Sequence, residues 1–218
     1  MYFESRAQAG DILASRLIDQ YRYENCAVVA LSDGAVEVGE RIAGALHCVL
    51  TMLLIEQIQI PGENVVFGSV SQNGGFTYNG MFSAGEVESY TSEFHGYLEE
   101  QKREAFQKIN RLLGDGGIID SKMLRDHVVI LVADGLDNGS SIEVAVDFLK
   151  PMRLRRLIVV TPVASVAAVD KMHILADEIH VLDVKENYLG VNHYYEKNDI
   201  PSHEEVIAKI NEVVLNWR

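Results

Sequence analysis

The 218-residue chain has little cysteine, little proline and few basic residues, and each shortage excludes a class of protein. Its two cysteines, Cys26 and Cys48, are too few for a disulfide framework, and we expect both to be buried free thiols. The four prolines form no linker, so we expect a single domain over residues 1–218. No apolar run approaches the roughly 20 residues of a membrane helix. Because the amphipathic N-terminus also has no apolar signal core, we expect a cytoplasmic protein.

Positive charge is scarce, with 19 Lys and Arg residues against 32 Asp and Glu residues and a formal net charge of −13. Binding to a duplex nucleic acid needs a basic face that neutralises phosphates, so we expect no nucleic-acid partner. The same charge balance argues against binding to an anionic membrane surface, so we expect no membrane partner. A small phosphorylated ligand stays compatible with this charge, because a few backbone N–H groups at a helix N-terminus can hold one phosphate.

Short β-type runs alternate with helical patterns along the chain. The first half predicts a helix over 7–22, a strand over Ala27–Leu31, a helix over 36–47, a strand over Val49–Ile55 and a hairpin within 64–80 that turns at Asn73–Gly75. A long helical segment over 86–113, ended by a glycine-rich break at 114–117, falls within a predicted lid or insert over 81–126. Strands over Val128–Val132, Leu157–Val160 and Ile179–Leu182 then alternate with helices ending at Leu149, over 165–175 and over 203–217. This order predicts an α/β fold with a mostly parallel central sheet flanked by helices, a β-hairpin and a helical insert.

The strongest local signal follows the predicted strand Val128–Val132, where ligands of such sheets bind. The strand runs into Asp134 and Gly135, and a loop through Asp137, Asn138 and Gly139 leads to Ser140 and Ser141 at the start of a helix. Small residues, hydroxyls and free N–H groups in this order can hold a phosphate. An Asp-Asn-Gly turn with a serine N-cap explains the same residues equally well.

This segment resembles the signature of the type I phosphoribosyltransferases, here written VADGLDNGSS. Six further segments are similar to the family in the same order along the chain: SRAQAGDILASRL, VVALSDGAVEVGERIAGAL, IEQIQIPGENVVFGSV, IVVTPVAS, ADEIHVLDV and GVNHYYEKNDIPSHEEV. In the last of these, the paired tyrosines Tyr194 and Tyr195 could stack on a base or pack at a strand end. The seven histidines show no spacing typical of a metal site.

The resemblance implies an enzyme that binds phosphoribosyl pyrophosphate with Mg²⁺ and displaces the pyrophosphate with a nitrogen base, in a homodimer. Carried over residue by residue, it implies that Asp134 contacts the ribose hydroxyls and that Asp137 is the general base toward a purine, which makes these two the expected catalytic residues. The residues expected to bind the phosphorylated ligand are Asp134, Gly135, Asn138, Gly139, Ser140 and Ser141 after one strand, and Ser32, Asp33, Gly34 and Ala35 in the presumed pyrophosphate loop.

Several positions depart from the family pattern. Ala133 replaces the first acidic residue of the signature, and Ser5 replaces the opening Asp, although Arg6 is kept. Asp33 stands where the pyrophosphate loop has arginine, and Glu56–Gln57 stand where the family has an Arg-Lys pair. Three expected cations thus become two anions and a neutral group, which would repel pyrophosphate by several kcal/mol, or on the order of 10³-fold in affinity.

Three hypotheses follow from the sequence. One is an active phosphoribosyltransferase with an altered substrate. The second, favoured by the lost cations, is a protein of the same fold that binds a nucleoside monophosphate, a sugar phosphate or only a protein partner, without catalysis. The third, least supported by the collinear matches, is an unrelated flavodoxin-like module.

Overall fold

The computed structural model describes residues 2–63, 65–113, 119 and 121–215. The strands are β1 (Cys26–Ala30), β2 (Val49–Met52), β3 (Ile55–Gln59), β4 (Val66–Ser71), β5 (Phe76–Tyr78), β6 (Val128–Val132), β7 (Arg156–Ser165) and β8 (Glu178–Lys185). The helices are α1 (Arg6–Tyr21), α2 (Asp33–Leu46), α3 (Ala84–Glu93), α4 (His95–Leu113), α5 (Ser140–Leu149), α6 (Val166–Leu175) and α7 (His203–Leu215).

The chain divides into two compact units. The first comprises Met1–Met52, Ile119–Gly139 and Met152–Arg218, and the second comprises Leu53–Ile118 and Ser140–Pro151. The predicted insert over 81–126 is divided as well, since its two helices lie in the second unit and the segment from Ile119 lies in the first. The expectation of a single domain stays a prediction.

The first unit contains a five-stranded sheet in the order β2-β1-β6-β7-β8, with every neighbouring pair parallel. Every residue of β1 (CAVVA) and of β6 (VVILV) is buried, as expected for central strands of a parallel sheet. Residues of α1, α2 and α7 share one apolar core with these strands, and α6 contacts β7 and β8. The predicted α/β fold with a mostly parallel central sheet is therefore confirmed.

The second unit is built on an antiparallel sheet in the order β3-β4-β5. The predicted hairpin turn closes with a hydrogen bond from the Gly74 N–H to the Ser71 carbonyl (2.8 Å). Helix α4 packs on β3 and β4, burying Leu98 and Ile109, and α5 packs on β4 and β5. Among the described residues, no helix combines the length and apolarity that crossing a membrane requires.

Several element boundaries differ from the prediction. The predicted strand Val49–Ile55 is two strands in different sheets, because the chain leaves β2 at Met52 and the Leu54 N–H binds the Gln72 side chain (3.4 Å) before β3 begins. The predicted segment 86–113 is two helices that part at Phe94, and the first begins at a Ser83–Glu86 capping box. The strand predicted to end at Val160 continues to Ser165 because it stays paired with β8. The predicted break at 114–117 lies outside the described residues.

The last helix follows its predicted apolar pattern. Val206 is fully buried, and Ile210 and Val213 pack against the core of the first unit. The predicted contribution of Val214 lies outside the described side chains. Cys26 and Cys48 are buried free thiols, as expected.

Candidate functional site

The candidate site lies where β1 and β6 end in the first unit. Their register runs from Cys26 opposite Val128 to Ala30 opposite Val132, so both strands end at the same edge of the sheet. The residues after β1 include Ser32–Ala35, and those after β6 include Ala133–Gly139. The topology therefore brings these two predicted groups of site residues to one place in the fold. Ser140 and Ser141 follow in the chain as the first residues of α5, in the second unit.

The predicted pyrophosphate loop is mostly the first turn of a helix. The Ser32 side chain accepts a hydrogen bond from the Ala35 N–H (3.0 Å), which makes Ser32 the N-cap of α2. Asp33, Gly34 and Ala35 therefore lie inside α2, and the predicted helix start at residue 36 is three residues late. Gly34 and Ala35 are buried, whereas Asp33 is partly exposed.

Asp134 is held by donors from three segments of the first unit. Its Oδ2 accepts from Arg6 Nε (2.7 Å), its Oδ1 accepts from the Ser32 hydroxyl (2.9 Å), and its backbone carbonyl accepts from the Tyr195 hydroxyl (2.5 Å). Both members of the Arg6–Asp134 ion pair are buried. Burial raises the pKa of Tyr195, and the nearby Asp134 carboxylate adds to the shift, so the tyrosine stays a donor at neutral pH.

Gly34 leaves the space that this buried pair needs. A Cβ placed on Gly34 would overlap Asp134 Oδ2 and would lie 2.7 Å from Arg6 Nε. The first turn of α2 therefore covers the Arg6–Asp134 ion pair so closely that its backbone admits no side chain there.

The rest of the signature loop is fixed to β7. The Leu136 N–H donates to the Val163 carbonyl (3.0 Å), and the Ser165 N–H donates to the Leu136 carbonyl (2.9 Å). The Ser165 hydroxyl also donates to the Asp137 carbonyl. These bonds hold the loop backbone, while the side chain of Asp137 stays exposed and that of Asn138 is partly exposed.

Gly139 and Gly135 occupy positions that other residues would strain. Gly139 has φ = +70°, in the left-handed region, and a Cβ there would lie 3.2 Å from two side-chain carbons of Lys171. A Cβ on Gly135 would overlap the Tyr188 hydroxyl. Burial raises the pKa of Tyr188, with nearby carboxylates adding to the shift, so this neighbour also stays a neutral phenol.

The two unexpected anions both have cationic or titratable partners, each within its own unit. Asp33 Oδ1 lies 2.9 Å from His203 Nδ1 at the start of α7, and Glu56 Oε2 lies 2.8 Å from Lys108 Nζ on α4. The sequence reasoning missed both partners, because 170 and 52 residues separate them from the anions. The charge at Glu56 is thus partly compensated by Lys108, and the carboxylate of Asp33 is engaged by the His203 ring.

The described residues do not build a magnesium site by themselves. No three His, Cys, Asp or Glu side chains among them are grouped as a metal site would require. Both carboxylate oxygens of Asp134 already accept hydrogen bonds from the protein. Mg²⁺ prefers an octahedron of oxygens, often with substrate phosphates among them, so a bound ion would need most of its ligands from elsewhere.

Sequence reasoning also gave no role to Arg6, and for Tyr195 it left base stacking and packing open. The structure places both against Asp134, with the Arg6 guanidinium carbon 4.5 Å from the centre of the Tyr195 ring. Tyr195 is 4% exposed, so it packs at this strand end. The sequence held one signal for a role of Arg6: this arginine of the family pattern is kept, although Ser5 replaces the Asp before it.

Comparison with known proteins agrees with the sequence resemblance. A model of the phosphoribosyl transferase domain matches residues 3–196. The structure is similar to that of TT1426 from Thermus thermophilus, with a TM-score of 0.76, 26% identity, and coverage of 97% of this chain and 99% of that one. A purine phosphoribosyltransferase from Pyrococcus horikoshii (14% identity, TM-score 0.48, 90% and 91% coverage) and a hypoxanthine phosphoribosyltransferase from Staphylococcus aureus (12%, 0.48, 85% and 76%) are more distantly similar. Since the matched range spans most of its length, this chain belongs to the phosphoribosyl transferase domain family.

Proposed function

We propose that this phosphoribosyltransferase-type protein binds a ribose 5-phosphate-type ligand, a nucleoside monophosphate or phosphoribosyl pyrophosphate, and that its transfer activity is impaired. The observation that carries the proposal is the signature loop Asp134–Gly139, which is bonded to β7 at Leu136 and Asp137 and leads directly into α5. Because these bonds already hold the loop backbone in place, ligand binding does not have to supply the free energy of ordering it.

The 5′-phosphate would bind at Asn138, Gly139, Ser140 and Ser141. The first N–H groups of a helix have no partner within the helix, and the helix dipole favours an anion there. Gly139 has the left-handed conformation, and the two serines that follow it in the chain begin α5. Backbone N–H groups and hydroxyls are the donors that a phosphate accepts from.

The ribose would bind at Asp134, whose carboxylate lies at the end of β6. Asp137 would act toward the base, since its side chain is exposed while its backbone is held by Ser165. An exposed carboxylate on a fixed backbone suits a general base that contacts a substrate proton directly.

The pyrophosphate part of the site supports binding less well. Asp33 places a carboxylate in the first turn of α2, where a phosphate would accept from backbone N–H groups, and the Ala35 N–H there already donates to the Ser32 side chain. Stabilising the charge that develops on the leaving pyrophosphate is usually the largest catalytic contribution, and a carboxylate supplies none of it. We therefore infer that a nucleoside monophosphate binds better than phosphoribosyl pyrophosphate, in a binding or regulatory role. The alternative is an active transferase with an altered substrate.

Isothermal titration calorimetry tests these two functions. The titrants are adenosine and guanosine 5′-monophosphate, inorganic phosphate, and phosphoribosyl pyrophosphate with Mg²⁺. We expect a monophosphate to bind more tightly than phosphoribosyl pyrophosphate. Low-micromolar binding of phosphoribosyl pyrophosphate would instead favour the active enzyme, and no binding of any phosphate-bearing titrant would refute both ligand-based functions.

Four further expectations stay predictions: Mg²⁺ as a cofactor, a homodimer, a cytoplasmic location and a role in nucleotide metabolism. Magnesium would arrive with the oxygens of a pyrophosphate ligand, because the described residues offer no cluster of their own. Light scattering after size-exclusion chromatography measures the oligomeric state directly.

A further inference from the structure

A fully charged side chain is buried beside the candidate ribose contact. Arg6 is only 3% exposed, and a buried guanidinium is tolerated only when its N–H groups are paired. Its Nε donates to Asp134 Oδ2 (2.7 Å), Nη2 donates to Asn192 Oδ1 (2.7 Å), and Nη1 donates to Asn198 Oδ1 (3.3 Å). Tyr195 stacks on the same guanidinium. Every nitrogen of the guanidinium therefore has an acceptor, and the group is held in one orientation.

This arrangement fixes the direction of the Asp134 carboxylate. A carboxylate offers about four lone-pair positions, two on each oxygen. Arg6 takes one on Oδ2 and the Ser32 hydroxyl takes one on Oδ1, so rotation of the carboxylate would break a bond at each oxygen. The Tyr195 hydroxyl holds the backbone of the same residue.

Among the described residues, Arg6 and Ser32 fill one lone-pair position on each carboxylate oxygen of Asp134 and leave one on each, and the side chain is 10% exposed. A ribose carries two neighbouring hydroxyl donors. The geometry points to Arg6 as a positioning residue that orients the Asp134 carboxylate to accept from both ribose hydroxyls. This inference rests on the proposed function, and it adds a specificity: the site should discriminate against a 5′-phosphate ligand whose sugar lacks both hydroxyls.

The substitution Arg6→Gln removes the charge and the Nε–Oδ2 bond, so it should release the carboxylate. Arg6→Lys keeps the charge but, with a single ammonium group, does not reproduce the fork that bridges Asp134 and Asn192. Asn192→Ala leaves Arg6 and Asp134 in place and removes one acceptor that orients the guanidinium. Arg155→Gln is the matched control, because it removes an exposed arginine's 2.7 Å ion pair with Glu24 in the same unit, away from Asp134.

The measurement is the calorimetric affinity of adenosine and guanosine 5′-monophosphates and of their 2′,3′-dideoxy forms. A hydrogen bond to a charged acceptor contributes about tenfold or more to affinity. The unmodified protein and Arg155→Gln should therefore bind the ribonucleotide at least tenfold more tightly than its dideoxy form. In Arg6→Gln this ratio should fall to within about threefold of one, while the dideoxy form keeps its affinity. Arg6→Lys and Asn192→Ala should give intermediate ratios.

Each other result overturns a specific step. A ratio that Arg6→Gln leaves unchanged refutes the positioning role, and so does an equal loss of affinity for both nucleotides, which a purely structural role predicts. If Arg6→Gln fails to fold, the ratios of Arg6→Lys and Asn192→Ala decide, and unchanged ratios in both refute the inference. Absence of binding by either nucleotide to the unmodified protein refutes the proposed function itself, and the inference with it.

Discussion

Replacing Gly139 tests the signature loop at the position where its conformation is most restricted. At φ = +70°, the left-handed backbone costs an alanine about 1–2 kcal/mol, and its Cβ would also crowd Lys171 at 3.2 Å. Valine should destabilise the fold further, because its branched side chain is stiffer and larger. We expect Gly139→Ala to lower the free energy of unfolding by about 2 kcal/mol, measured by urea denaturation.

A second glycine provides the matched control. Gly190 has φ = +94° and ψ = 148°, and a Cβ there would meet no atom within 4 Å. Gly190→Ala should therefore introduce only the backbone strain, about 1–3 kcal/mol, at a position outside the signature loop. The two alanine substitutions should therefore lower the free energy of unfolding by similar amounts. Only Gly139→Ala also crowds a neighbouring side chain, that of Lys171.

Ligand binding should distinguish a valine at position 139 from a valine at position 190. Gly139→Val should raise the dissociation constant for a nucleoside 5′-monophosphate about tenfold or more, since losing one charge-assisted hydrogen bond to phosphate costs about 1.5–3 kcal/mol. Gly190→Val, the matched substitution, should leave that constant unchanged, as measured by calorimetry well below the melting temperature. If the nucleotide binds and Gly139→Val leaves its affinity unchanged, the assignment of this loop to the 5′-phosphate is wrong.

Asp33→Asn removes an anion from the first turn of α2 and should raise the affinity for phosphoribosyl pyrophosphate about tenfold, a value reduced from the unscreened Coulomb energy by salt; an unchanged calorimetric affinity would place the pyrophosphate elsewhere. Tyr195→Phe leaves the buried Asp134 carbonyl without its 2.5 Å donor and should destabilise the fold by about 1–3 kcal/mol in urea denaturation. If Tyr194→Phe lowers the free energy of unfolding equally, the hydrogen bond to the Asp134 carbonyl is not the cause of the loss in Tyr195→Phe. Burial raises the pKa of Cys26 to about 11 and that of Cys48 to about 12. Because the unfolded thiols lose their protons near pH 9, the free energy of unfolding should fall from pH 9 to 12, and Cys→Ser variants should show a smaller fall.

The order of most elements, and the sheet edge at which the candidate site residues meet, could be predicted from the sequence, because both depend on local pattern. The runs CAVVA and VVILV are continuous and apolar, which is typical of buried parallel strands. The small and polar residues after VVILV follow the carboxyl end of a strand, which is where ligands of such sheets generally bind. The start of α2 was misplaced for a local reason as well. Ser32 is the N-cap of this helix, whereas the sequence pattern placed Asp33 and Gly34 in a loop before it.

The pairing inside the site depends on contacts that sequence patterns do not carry. Arg6 reaches Asp134 across 128 residues and Asn192 across 186 residues, and neither spacing belongs to any helix or strand period. The division of Val49–Ile55 into two strands has a similar origin. The chain leaves β2 after Met52, and the side chain of Gln72, which lies far along the sequence, receives the freed Leu54 N–H.

The contact between Asp33 and His203 bears on how strongly the Asp33 carboxylate repels a phosphate ligand. His203 begins α7, which lies after the range 3–196 that the family model matches, so this contact comes from a part of the chain outside the family match. The imidazole Nδ1 lies 2.9 Å from the Asp33 carboxylate, so a contact within the protein already engages this carboxylate. A carboxylate engaged in this way still supplies none of the positive charge that an arginine would direct at a leaving pyrophosphate. Under the proposed function, we therefore expect the replacement of the arginine by Asp33 to weaken ligand binding less than it weakens transfer.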